Sequence, residues 1–194
     1  MNVLIDLIGS SFIGGILLLL ILKLNLYSQN TSISSDTELR LQQNAKTLAE
    51  ILNYDLRKVG YNCDSTAIIT ADSTRIKFYA DLNEPGTAGY GTMDVVEYFI
   101  SSPSKASSTT NPNDVVLTRV LNGSDSLTGP SLGLVKLKFS YYDSGWTLTT
   151  NPENITYIKT ELWVESLDPI DVNFGSQTGY PFTYWEMTIN PRNI

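Results

Sequence analysis

Residues 35–60, SDTELRLQQNAKTLAEILNYDLRKVG, carry apolar side chains at Leu41, Ala45, Leu48, Leu52, Leu56 and Val59. Spacings of four and three place these residues on one face of a helix. Ser35 and Glu38 stand at the separation of a capping box, which predicts a helix start. Gly60 is placed to stop the helix. A helix with one apolar face needs something to cover that face, and the chain beyond Gly60 supplies it. There the apolar period switches to two. Ile76, Phe78, Ala80 and Leu82 alternate with polar neighbours, as do Val96, Tyr98 and Ile100 and, less cleanly, Val116, Thr118 and Val120. Val135, Leu137, Phe139 and Tyr141 read as the inward set of a strand, with Leu134, Lys136, Lys138 and Ser140 outward. Ile158, Thr160, Leu162 and Val164 repeat the pattern, and so do Trp185, Met187 and Ile189. Glu84-Pro85-Gly86, Asn122-Gly123, Asp143-Ser144-Gly145 and Asn151-Pro152 supply the turns between them. About six antiparallel strands behind one packing helix make an α+β domain.

Upstream of this helix, residues 28–35 (SQNTSISS) are polar and predict a break or frayed joint. Before them lies VLIDLIGSSFIGGILLLLILKLNL, residues 3–26, in which no charge interrupts Leu7 to Leu22. At about 1.5 Å per residue, residues 1–23 are just long enough to cross a bilayer core of about 30 Å. A cleaved signal peptide is the competing reading. It would need a Lys or Arg ahead of the run, a shorter run and a small-x-small site behind it. Lys23 instead follows the run, and Leu24-Asn25-Leu26-Tyr27 is a poor cleavage site. The segment therefore reads as a retained helix. Ser10 and Gly14, and likewise Ser11 and Gly15, lie four apart and form a stripe along which another helix can approach closely. Asp6 is the anomaly. An ionisable group inside a membrane segment is costly and calls for a partner, here a charge on a neighbouring copy such as its terminal amine. Reaching headgroup water is the simpler alternative.

Composition narrows the function classes. The chain has 194 residues, with 20 acidic against 13 basic side chains and a net charge of -7. This argues against a nucleic-acid binder, whose affinity depends on clustered Lys and Arg, and against a polybasic grip on anionic lipid. There is no histidine and one cysteine, Cys63, so catalytic His, His-ligated metal, Cys clusters and internal disulfides are ruled out. Cys63 reads as a lone thiol. Glu161 and Glu165 do not stand out as a catalytic pair, and Asp168, Asp171 and Asn173 lack a known Ca²⁺-loop pattern. No enzyme activity, cofactor or metal is expected. Two long loops, residues 101–113 and 166–181, read as solvated. Asn30-Thr31-Ser32, Asn122-Gly123-Ser124 and Asn154-Ile155-Thr156 fit the glycosylation triplet, a pattern short enough to arise by chance.

A half-buried N-terminal helix running into an amphipathic helix on an antiparallel sheet resembles the type IV pilin-like proteins. Leu4-Ile5-Asp6-Leu7 is similar to the start of mature pilins, where Leu-Ile-Glu-Leu places an acid near the N-terminus. Asp55-Leu56-Arg57-Lys58-Val59-Gly60-Tyr61 resembles the helix end of W-type minor pilins and J-type pseudopilins of type II secretion. Leu117-Thr118-Arg119-Val120-Leu121-Asn122-Gly123, Phe139-Ser140-Tyr141-Tyr142-Asp143 and Pro191-Arg192-Asn193-Ile194 resemble the same group. Family members carry a basic leader that a dedicated peptidase removes. Asp6 stands too close to Met1 for such a leader, so the sequence starts at the mature end or the protein is inserted unprocessed. The resemblance implies that Asp6 docks a subunit against its neighbour's N-terminus.

The expected organisation is a membrane or filament-core helix over residues 1–27, an amphipathic helix over 28–60, and an antiparallel β head over 61–194. The expected role is a structural subunit of a pilus-like filament whose partners are membrane lipid and then other pilin-like subunits, with an extracytoplasmic head. Lys23 alone would favour the opposite orientation, but one lysine weighs little against the family. The alternative is an anchored binding module that never assembles, presenting Tyr141, Tyr142, Trp146, Tyr180, Phe182 and Trp185 as a contact surface.

Overall fold

The computed structural model describes residues 3–103, 106, 109–171 and 178–194. One helix, α1 (Val3–Leu56), runs for 54 residues, about 80 Å at 1.5 Å per residue. The break expected at residues 28–35 is absent, and Ser35 lies inside the helix rather than at its cap. Side-chain hydrogen bonds explain the correction. Thr31 Oγ1 donates to Tyr27 O at 2.9 Å, Thr37 Oγ1 to Ile33 O at 2.9 Å, and Gln29 Nε2 to Asn25 Oδ1 at 2.8 Å. Hydroxyls bonded back one turn are satisfied without leaving the helix, and no glycine or proline interrupts this stretch.

The buried face is the expected one, Leu41, Ala45, Leu48, Leu52 and Leu56, widened by Ala49 and Asp55. The helix then tightens. Lys58 N–H donates to Asp55 O at 2.9 Å, three residues back, and Gly60 N–H leaves the helix for Tyr79 O at 2.9 Å. Gly60 has φ +75°, the left-handed stop that glycine adopts at little cost.

The head contains β1 (Ile68–Ala71), β2 (Arg75–Ala80), β3 (Asp94–Ile100), β4 (Leu117–Leu121), β5 (Asp125–Thr128), β6 (Leu134–Tyr142), β7 (Tyr157–Glu165), β8 (Ile170–Asp171), β9 (Thr178–Gly179) and β10 (Phe182–Ile189). The sheets are antiparallel and ordered β1-β2-β3-β4-β5, β10-β7-β6 and β8-β9. The fold is α+β, as expected, with its strands divided between two main sheets. α1 rests on β10 and β7. The edge of β6 not paired with β7 is partly closed by neighbouring loops: Phe139 N–H donates to Ser73 O, and Val115 N–H to Leu134 O, each at 2.7 Å. Tyr141 Oη donates to Asp72 O at 2.9 Å.

A bulge between Leu134 and Lys136 shifts the register of β6 against β7. An extra residue inverts the facing of everything before it. Leu134 is therefore fully buried and Val135 only partly so, the reverse of the alternation expected there, while Leu137, Phe139 and Tyr141 point inward as expected. In the core, Leu48, Leu52 and Leu56 of α1 join Ile76, Phe78, Val96 and Tyr98 of one sheet and Leu137, Phe139, Ile158 and Leu162 of the other.

Candidate functional site

Two regions stand apart from the ordinary packing of the head. The first is the N-terminal half of α1. Val3, Leu4, Ile5, Leu7, Ile8 and Phe12 lie between 63% and 76% exposed, and large apolar side chains stay exposed through Tyr27. This segment is long and apolar enough to cross a membrane, and none of its most apolar window is buried in the fold. Asp6 lies in the first turn of the helix and is exposed. A carboxylate there meets the positive end of the helix dipole, worth about 0.3–1 kcal/mol. Ser10 Oγ donates to Leu7 O at 3.0 Å, so that hydroxyl is satisfied within its own helix. Ser11 is exposed, and a Cβ added at Gly14 or Gly15 would meet nothing within 4 Å. Among the described residues Asp6, Ser10, Ser11, Gly14 and Gly15 are exposed, on a stretch of helix that lies outside the core of the head.

The second region is where α1 enters the head. Asp55, in the last turn of α1, is 3% exposed. Its Oδ2 accepts from Tyr98 Oη at 2.7 Å and from Arg119 Nε at 2.6 Å. Burial would lower the Arg119 pKa, but the bond and charge of Asp55 outweigh it and the net shift is upward. Burial, with the Asp55 charge beside it, pushes the Tyr98 phenol far up. Tyr98 is therefore a fixed donor and Arg119 a fixed cation. Together they tie the helix to β3 and β4 across 43 and 64 residues of sequence.

The chain terminus closes on the same place. A Cβ on Gly60 would stand 2.6 Å from Asn193 O and 3.0 Å from Ile194 Cγ2. Three stretches singled out in the sequence, residues 55–61, 117–123 and 191–194, thus converge at the base of the helix. Sequence reasoning found the segments and missed the pairing, because no local period encodes a contact between residues so far apart.

A second buried acid, Asp81, anchors the loop before β3. Asp81 accepts from Gly91 N–H at 2.7 Å, Asn62 Nδ2 at 3.0 Å and Asn83 N–H at 3.1 Å. The Gly91 bond, ahead of the others, holds its pKa below the usual value.

The aromatic surface expected of a binding module is only partly present. Tyr141 belongs to the core at 3% exposed, which removes it from any contact surface. Trp146 and Phe182 are exposed by 59% and 68%. They do not share one patch. Trp146 stacks on Tyr157 at 4.3 Å and leans on Tyr142 at 5.9 Å. On β10, Phe182 and Trp185 alternate to opposite faces. Glu161 and Glu165 serve separate neighbours: Glu161 accepts from Tyr184 Oη at 2.8 Å, and Glu165 accepts from Asn111 Nδ2 at 2.8 Å. Asp168 accepts from Thr110 Oγ1 at 3.0 Å, while Asn173, weighed with it as an ion ligand, lies outside the described residues.

No protein-family model and no curated protein matches this chain. Among solved structures, a type IV-like pilin from Thermus thermophilus aligns with a TM-score of 0.49 and 13% identity, over 79% of this chain and 97% of that one.

Proposed function

We propose that this chain is a non-enzymatic structural subunit of a pilus-like filament, in the manner of a minor pilin or pseudopilin. Its N-terminal helix lies in the membrane before assembly, with the head outside the cytoplasm. The observation that carries this reading is the asymmetry of α1. Its C-terminal portion is docked in the core of the head, while among the described residues the large apolar side chains from Val3 to Leu26 stand exposed. At about 1.5–3 kcal/mol per large apolar side chain, leaving that run in water costs on the order of tens of kcal/mol. Lipid removes the cost, and a bundle of sibling helices removes it equally well. Transfer between the two is then nearly neutral in hydrophobic terms. Close packing along Ser10, Ser11, Gly14 and Gly15 and pairing of Asp6 decide the balance.

The sequence resemblance at residues 4–7, 55–61 and 191–194 supports the same role. Partners on this reading are other pilin-like subunits and, earlier, membrane lipid. The second reading, an anchored module that never assembles, draws on the exposure of Trp146 and Phe182.

Crosslinking of Asp6→Ala in membranes separates the two. The variant is expected to insert normally and to lose crosslinks to sibling subunits. Crosslinking at the wild-type level would refute the role of Asp6. A native protein that is monomeric after mild solubilisation would refute assembly altogether.

A further inference from the structure

The edge of an open sheet carries unpaired N–H and C=O groups, and proteins blunt it with short strands, covering loops, bulges, lysine or proline. Three edges of the two main sheets are blunted in these ways. β1 and β5 have 4 residues each, and the free side of β6 is partly closed by the bonds of Phe139 to Ser73 and of Val115 to Leu134. The fourth edge, β10, is different. It has 8 residues, FTYWEMTI, with no lysine, proline or glycine among them. Its register on β7 runs unbroken from Phe182 opposite Glu165 to Ile189 opposite Ile158, so no bulge twists it away. β10 ends its sheet, and among the described residues no backbone hydrogen bond reaches its outer side.

A cleft of about 660 Å³ lies at the C-terminal end of this edge, lined by residues 187–190, by Asn53 and Arg57 of α1, and by Arg192. Asn53 and Arg57 stand one turn apart. Arg57 Nε donates to Asn53 Oδ1 at 3.0 Å, which among the described residues leaves its two Nη groups without a partner. Elsewhere in the head the arginines are neutralised: Arg75 pairs with Glu97, and Arg119 with Asp55. Among the described residues no carboxylate lies within ion-pair distance of Arg57 or Arg192. Two guanidiniums without an acid thus line one cleft in a chain whose net charge is -7. The planar fork of a guanidinium matches a carboxylate, which it can bind through two parallel hydrogen bonds.

We propose that β10 and this cleft form a docking site for an extended acidic segment of a partner protein. The segment adds to the sheet as a strand along β10 and lays a carboxylate in the cleft. Main-chain bonds supply the affinity, and the charge fixes direction and register. A helix would leave the edge unpaired, and a small anion would use the cleft alone. The inference does not depend on filament assembly.

Binding of a fluorescein-labelled peptide, TVTVTDE, to the full chain in detergent tests the proposal by anisotropy. Amide exchange of the chain alone is expected to show alternate amides of β10 exchanging fast, and the peptide is expected to protect them. Arg57→Gln together with Arg192→Gln should weaken binding about tenfold, whereas Arg40→Gln, outside the cleft, should not change it. The same peptide ending in two lysines, or N-methylated at alternate residues, should also lose about tenfold or more. Four results each overturn the proposal: β10 amides all protected in the chain alone, no saturable binding at about 1 mM peptide, equal binding of the N-methylated peptide, or equal binding by the double variant. Should that variant fail to fold, the lysine-ended peptide decides, and its binding as tightly as the acidic one refutes the site.

Discussion

Arg119→Ala is the sharpest test of how the helix is held in the head. The Asp55 side chain is 4% exposed and that of Arg119 20%. Truncating the arginine therefore leaves a carboxylate in a nearly dry site with only the Tyr98 hydroxyl. Removing one partner of a buried pair costs about 3–5 kcal/mol. The residual exposure of Arg119 admits some water and places the expected loss near the lower bound, about 3 kcal/mol. For a chain of this size each kcal/mol moves Tm by about 2–4 °C, so the variant should melt about 6–12 °C below wild type. Near-UV circular dichroism of the detergent-solubilised protein reads this directly. Asp55→Leu combined with Arg119→Met and Tyr98→Phe should recover most of the loss, because the desolvation cost disappears with the charges and no buried hydroxyl is left unpaired. A single variant within about 2 °C of wild type, or a triple variant as unstable as the single one, would show that the pair does not secure the helix.

Three further perturbations probe separate parts of the molecule. Gly60→Ala forces a left-handed alanine and drives its Cβ toward Asn193 O. A loss of about 2 kcal/mol is expected from urea midpoints, and removing residues 193–194 from that variant should restore only the part due to the clash. Asp81 has its pKa depressed in the folded state, first by the Gly91 N–H, so its stabilisation is present above its ordinary value of 3.8 and drains away as pH falls through and below it. Asp81→Asn should therefore flatten the acid limb of a stability-versus-pH curve, and an unchanged limb would refute the assignment. Gly14→Leu meets open space within the molecule and should leave Tm of the head unchanged, while reducing sibling crosslinks if the small stripe packs against another helix.

Residues whose environment is set by near neighbours were legible in the sequence. The face Leu41, Ala45, Leu48, Leu52 and Leu56 followed from helical spacing, and Ile158, Thr160, Leu162 and Val164 from alternation. β1 and β5, each of 4 residues, are too short to establish a period. The facing of Leu134 and Val135 was missed because a bulge is a property of two strands in register, not of one. The joint expected at residues 28–35 failed for a different reason. Serine and threonine disfavour helix by offering the backbone rival hydrogen bonds, yet the hydroxyls of Thr31 and Thr37 bond back to the preceding turn. The Asp55–Arg119 pair belongs to tertiary structure alone. Nothing near either residue in the chain announces its partner.

The unbroken helix changes what the apolar half can transmit. Its first buried residue is Leu41, so the segment before it, about 57 Å at 1.5 Å per residue, projects from the head as one rod. A joint at residues 28–35 would have let the head swivel on its anchor, and pairing at Asp6 could then fix only the depth of a subunit. With the turns intact, rotation of the rod is rotation of the head, because Asp55, Tyr98 and Arg119 clamp one end and no hinge intervenes. On the filament reading, a contact at the N-terminus therefore sets the angle at which the outer surfaces of neighbouring heads meet, far from the contact itself. The charge pair at the base of the helix then has a purpose beyond stability. An apolar contact can slide, whereas the directed bonds to Asp55 hold one rotation of the helix against the sheets.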